Sequence, residues 1–154
     1  VLVPAAHALL QAREDVERMA EGLPVEALWA RPGGAASAGF HLRHLAGSLD
    51  RLLTYARGEA LGEAQLASLA AEGEPGDPPE TAEVLARRAV EVIGRALEQI
   101  RATPEAELFE VRRVGRAGLP STTIGLLFHA AEHSTRHSGQ LVTTVKVVRG
   151  LGLG

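Results

Sequence analysis

The sequence predicts an all-α fold, a four-helix bundle, and three observations carry that expectation. Four long segments place apolar residues at helical spacing, each bounded by a capping or breaking residue. Ala and Leu, both strong helix formers, make up much of the apolar fraction, while aromatics are only 3%. No repeat recurs at solenoid periods and no heptad pattern persists, so the four amphipathic faces have to be buried against one another. A chain of 154 residues suits one domain, expected to span 1–154.

The first segment runs from about Pro4 to Ala20, with Leu9, Leu10, Val16 and Met19 on one stripe and Arg13, Glu14, Glu17 and Arg18 opposite. Pro4 is tolerated near a helix start, and Gly22 with Pro24 ends the segment. Gly22 to Gly34, containing Trp29 and Pro32, reads as a connection. Ser37 is a good N-cap for the second segment, which stops at Gly58. Glu59 to Ala71 suggests one or two helical turns. Glu72 to Glu80, EGEPGDPPE, reads as an exposed loop.

The third segment starts at Thr81 and carries Val84, Leu85, Ala89, Val92, Ile93, Ala96, Leu97 and Ile100 at a 3.6-residue period before Pro104 closes it. Glu105 to Pro120 is either an irregular crossing or a short extended piece. Ser121 or Thr122 caps the fourth segment, which ends at Gly150. Its β-branched C-terminal part would also suit a strand, but the placement of its histidines and apolar residues favours helix. The GLGLG tail carries no expected structure.

Charge narrows the function classes. The net charge of −3, with Lys146 the only lysine, gives no basic stripe for nucleic acid. The absence of cysteine removes disulfides, thiolate metal sites and thiol nucleophiles. No apolar run is long enough to span a bilayer, and the N-terminal residues lack the pattern of a secretory signal, so a cytoplasmic location is expected.

Six histidines remain as candidate chemistry, and five lie on two segments. On a helical wheel of the fourth segment, His133 and His137 lie one turn apart inside the edge of an arc filled by Leu126, Leu127, Ala130, Leu141 and Val145. His44 sits at the corresponding edge of the second segment, beside Leu42, Leu45, Leu49 and Leu53, with Arg43, Asp50 and Thr54 pointing away from the core. If the two helices are neighbours, three imidazoles can meet one ion and leave coordination positions open, the pattern of a catalytic rather than a closed metal site. The same wheels offer His41, Ser48, Tyr55, His129 and Gln140 as pocket residues. His7 reads as hydrogen-bonded or solvent-exposed.

A second motif competes. His129-Ala130-Ala131-Glu132-His133 matches H-x-x-E-H, the inverted zinc-protease pattern, with Glu132 as base. That motif needs a carboxylate ligand further along, and no Asp or Glu follows Glu132. Nor do the apolar stripes hold an acid placed as a general base.

FHLRHLAGSLDRLLTYARG and, more specifically, PSTTIGLLFHAAEHSTRHSGQL resemble the DinB/YfiT-like family of metal-binding four-helix bundles, the damage-inducible family rather than the DNA polymerase of that name. Trp29 to Pro32 and the loop after the third segment fit the same layout, so the resemblance covers nearly the whole chain. It implies a divalent ion, nickel or zinc, held by His44, His133 and His137. It also implies a metal-dependent enzyme, a thiol-dependent S-transferase or a hydrolase, acting on a small-molecule substrate with a low-molecular-weight thiol as partner, and a homodimer. Val147, Val148, Leu151 and Leu153 would give such a dimer apolar surface. The alternatives are a non-catalytic metal-binding stress-response bundle, in which the ion fixes helix packing, and an interaction domain with histidines merely at the core edge.

Overall fold

The computed structural model describes residues 1–153, so the last residue of the glycine-rich tail, Gly154, lies outside it. Four long helices form the bundle: α1 (Val3–Ala20), α3 (Ala38–Ala56), α5 (Ala82–Ala102) and α6 (Thr123–Gly150). Two short helices, α2 (Val25–Trp29) and α4 (Glu63–Ala70), occupy the connections. Each long helix starts where its sequence supplies a partner for an otherwise orphaned N–H. Ser37 accepts from Phe40 N–H, Thr81 from Val84 N–H and Thr122 from Gly125 N–H. α1 has no such cap and instead carries Pro4, which has no N–H to satisfy, as its second residue.

α3 and α1 each pack against both α5 and α6, which puts α1 diagonal to α3 and α5 diagonal to α6. Leu9 and Val16 of α1, Leu42, Leu45 and Leu49 of α3, Leu85 and Ile93 of α5, and Leu127, Leu141 and Val145 of α6 meet along the axis with essentially no exposure. The adjacency of α3 and α6 meets the condition under which the histidines of the two segments can face each other.

The ambiguous stretch before α6 is extended. β1 (Val111–Val114) and β2 (Leu119–Thr122) form an antiparallel hairpin with Val111 opposite Thr122 and Val114 opposite Leu119. The β-branched end of α6 remains helical because Leu141, Val145 and Val148 continue its buried stripe. Val148 is therefore core and not spare surface, whereas Val147, Leu151 and Leu153 are exposed.

Two sequence expectations need correction. The stretch 72–80 is not simply exposed, because Glu72 is only 4% exposed. The outer face of α3, carrying Arg43, Asp50 and Thr54, does not point freely into water either. α4 and the segment after it lie across that face, so Gln65 Nε2 donates to Asp50 and Thr54, and Thr54 is buried. A wheel drawn for one helix cannot register a covering segment that is itself polar.

Gly39 on α3 admits a close neighbour. A Cβ there would lie 2.7–2.8 Å from three carbons of the Trp29 ring. Trp29 is fixed in turn, with Nε1–H donating to the Glu80 carbonyl at 3.0 Å and Arg43 lying 5.0 Å over the ring. Gly39→Ala is expected to destabilise the fold by about 1–2 kcal/mol, the overpacking cost exceeding the gain in helix propensity. A urea midpoint at or above wild type would show that the indole shifts freely.

Candidate metal centre

α3 contributes His41 and His44 from its first half, and α6 contributes His133 and His137 from its middle. One ring nitrogen from each of His44, His133 and His137 lies within 4.8 Å of the others. His44 Nε2 and His133 Nε2 are 3.0 Å apart, and the His133 and His137 rings are 4.6 Å apart between centroids. The cluster is half-open: His44 and His133 are partly exposed and His137 is buried. Phe40 stacks on the His44 ring at 5.2 Å with an interplanar angle of 15° and closes that side.

The hydrogen-bond partners assign the tautomers. His44 Nδ1–H donates to Glu72 Oε2 at 2.7 Å, which leaves Nε2 as a lone pair facing His133. Glu72 Oε1 accepts from Arg51 at 2.7 Å, so both carboxylate oxygens are committed. Behind His137 stands His41, with the two Nδ1 atoms 3.2 Å apart. With His137 donating, His41 accepts, and the second nitrogen of each ring is left for other partners.

Burial favours the neutral form of His41, His133 and His137. Burial and then the nearby His44 ring lower His41 to about 4. Burial, reinforced by His44, His133 and His41, lowers His137 to about 3. His133 is lowered by burial and by its neighbours His44 and His129. Burial alone would raise Glu72, but the hydrogen bonds from His44 and Arg51 outweigh it and hold the carboxyl below its ordinary range.

This donor set fits a divalent cation. The Nε2 atoms of His44 and His133 face each other, and burial favours in His133 and His137 the neutral form that a metal ligand needs. Metal–nitrogen bonds near 2.0–2.1 Å would set ligand nitrogens roughly 3–3.4 Å apart, close to the His44–His133 separation. His, rather than Cys or an all-oxygen cage, suits borderline metals such as zinc and nickel.

The other candidates separate by height and by exposure. His41 is buried against His137. Ser48, one turn beyond His44, is buried and donates to the Leu45 carbonyl. Tyr55 shares His44's azimuth but lies three turns along α3. It lines a different cavity, with Gly58, Leu61 and Arg113. His129 is exposed, its Nδ1 3.2 Å from Glu132 Oε2, so the first histidine and the base of the H-x-x-E-H motif face outward while His133 turns towards His44. Gln140 is exposed and lines a cavity of about 400 Å³ with His41, Arg136 and Thr143. A cavity of about 520 Å³ between α3, α4 and α5 contains none of the three histidines. His7 is exposed.

Sequence reasoning missed Glu72 and Arg51. An acid in an EGEPGDPPE stretch looks like a solvated loop residue. The available signal was on α3, where His44, Gly47 and Arg51 share one face and the glycine marks a close approach.

The sequence model of the DinB superfamily matches residues 8–141. Two solved structures share the fold. A conserved protein from Enterococcus faecalis aligns with a TM-score of 0.69 at 20% identity, covering 97% of this chain and 98% of that one. A DinB-like protein from Bacillus cereus ATCC 10987 aligns with a TM-score of 0.64 at 20% identity, covering 95% and 92%. No curated protein matches the sequence significantly.

Proposed function

The chain belongs to the DinB superfamily, and from that premise we propose that it is a metal-dependent enzyme whose divalent ion, nickel or zinc, is held by His44, His133 and His137. The observation that carries this reading is the convergence of three imidazole nitrogens within 4.8 Å on the partly exposed side of the bundle. Bound there, the ion supplies Lewis acidity that makes a nucleophile available near neutral pH. The chain's own groups do the positioning. Glu72 orients His44, and His41 takes the proton side of His137. Phe40 keeps water from one flank of His44. The cavity beside His41, with Arg136 and Gln140, gives a small-molecule substrate room behind His137, one residue removed from the ligands.

S-transfer to or from a low-molecular-weight thiol, or hydrolysis, are the reactions this reading favours. Nucleic acid is not among its partners. A homodimer in the cytoplasm completes the proposal, with exposed Val147, Leu151 and Leu153 available to a second copy. Among the described residues no helix is long and apolar enough to cross a membrane.

One observation favours a second reading, a metal-binding bundle without catalysis. Glu72 is the acid nearest the histidines by hydrogen bonding, and neither of its oxygens is free to act as a base. Calorimetric titration of metal-free protein with nickel or zinc is expected to show one ion per chain. The loaded protein should then turn over electrophile–thiol pairs or hydrolysable esters. Binding that raises the thermal midpoint with no turnover supports the second reading, and binding of neither ion removes both.

A further inference from the structure

We propose that Glu72 is a positioning residue for the metal centre, and that docking of segment 71–80 onto α3 and occupation of the centre are one coupled event. The inference rests on the three-histidine site proposed above and concerns how that site is assembled.

The segment is fastened to α3 by side chains adjacent to the ligand. Arg43, the residue before His44, donates to the carbonyls of Ala71 at 2.8 Å and Pro75 at 3.1 Å, to that of Glu74, and to the Glu80 carboxylate at 2.9 Å. Trp29 Nε1–H holds the Glu80 carbonyl. Between these anchors Glu72 crosses α3 to reach His44, and its other oxygen meets Arg51. The crossing is possible because residue 47 has no side chain. A Cβ on Gly47 would lie 2.6 Å from Glu72 Oε1 and 2.8 Å from an Arg51 nitrogen.

The buried carboxylate therefore has a specific consequence. Accepting from Nδ1–H fixes His44 in the tautomer whose Nε2 lone pair faces His133. Without it, the ring is free to place its proton on Nε2, where it blocks a ligand position. Linkage makes the effect reciprocal: whatever stabilises His44 as a ligand also stabilises the docked segment, because one hydrogen bond serves both. Arg51 keeps the carboxylate charged and aimed. It has no hydrogen bond to any of the three histidines, so its effect on the centre passes through Glu72.

The test needs wild-type protein and two variants, titrated with nickel and with zinc in competition with a chromophoric chelator. Glu72→Gln is expected to bind about ten- to a hundredfold more weakly. Gly47→Ala retains both charges but displaces their tips, and should show a comparable loss with little change in urea midpoint. Imidazole nitrogen chemical shifts should report a single His44 tautomer in metal-free wild type and a mixture in Glu72→Gln, a change that a purely structural role would not produce. In wild-type protein, backbone hydrogen exchange across 72–80 should slow on metal saturation. Wild type that binds metal while both variants bind equally well overturns this inference alone. So does exchange across 72–80 that ignores the ion, a readout that survives even if a variant fails to fold. Wild type that binds neither ion overturns the site as well.

Discussion

His137→Ala is expected to bind nickel or zinc about a hundred- to a thousandfold more weakly than wild type, while His129→Ala binds as wild type does. The loss follows from removing one of three ligands from a site whose binding energy is shared among them, a few kcal/mol each. His137 is the buried member of the set, backed by His41 and flanked by His44 and His133. His129 is exposed, and its Nδ1 is 3.2 Å from Glu132. The pair of variants also separates the two motifs that share His133. A centre built on H-x-x-E-H would lose its metal with His129→Ala and keep it with His137→Ala. Stoichiometry by elemental analysis after desalting, with affinities by chelator competition, reads the outcome, and that reversed pattern would discard the triad.

Acid is expected to have the second large effect. Unfolded histidine takes up its proton near 6.5, whereas folded His41 resists down to about 4 and folded His137 to about 3. Across that window the unfolded chain binds more protons, so stability is complete above pH 6.5 and is lost as pH falls. Each histidine costs about 1.4 kcal/mol per pH unit, or roughly 4 kcal/mol for the two at pH 5. Glu72 acts in the same direction lower down, since its carboxyl is held below 4.5 and its contribution disappears as pH drops through the folded value. Set against a total of about 5–15 kcal/mol for a domain, this should bring metal-free protein close to unfolding near pH 5. Urea midpoints should be flat from about pH 8 to 7 and fall steeply below 6.5. Saturating nickel or zinc should offset part of the fall, because only the folded chain offers the assembled site. A midpoint unchanged between pH 7 and 5 would mean that these imidazoles are not held neutral by burial.

The bundle was legible because its signals are local. Ser37, Thr81 and Thr122 each sit where a helix must satisfy its first N–H groups, and the apolar stripes name the faces that meet. The three histidines were legible for a related reason: a wheel reports azimuth, and the chain crossing that would bring them together involves only two neighbouring helices. The same wheel misplaced Tyr55, which has the right azimuth at the wrong height. It took Thr54 for an outward residue because nothing in α3 announces that α4 covers it. Glu72 was out of reach for a deeper reason. Its burial depends on Arg43 and Arg51, on a different helix, neutralising and holding a segment whose composition alone says water. Val148 shows the converse error, an apolar residue near a terminus that continues the core.

α3 carries two glycines, Gly39 in its first turn and Gly47 in its interior, where glycine costs a helix roughly 1 kcal/mol relative to alanine. Both are there for neighbours: the indole of Trp29 and the Glu72–Arg51 pair. The helix that bears His41 and His44 is thus weak on its own and becomes firm only when surrounded. Its partner ligand His133 is 89 positions away along the chain. Of the three proposed ligands, a nascent or partly folded chain consequently brings together no more than His133 and His137 on α6. For the proposed centre this implies an order of events: the helices would pack first, and an ion would enter afterwards, through the partly exposed edge where His44 and His133 meet solvent, its binding coupled to the final docking of segment 71–80.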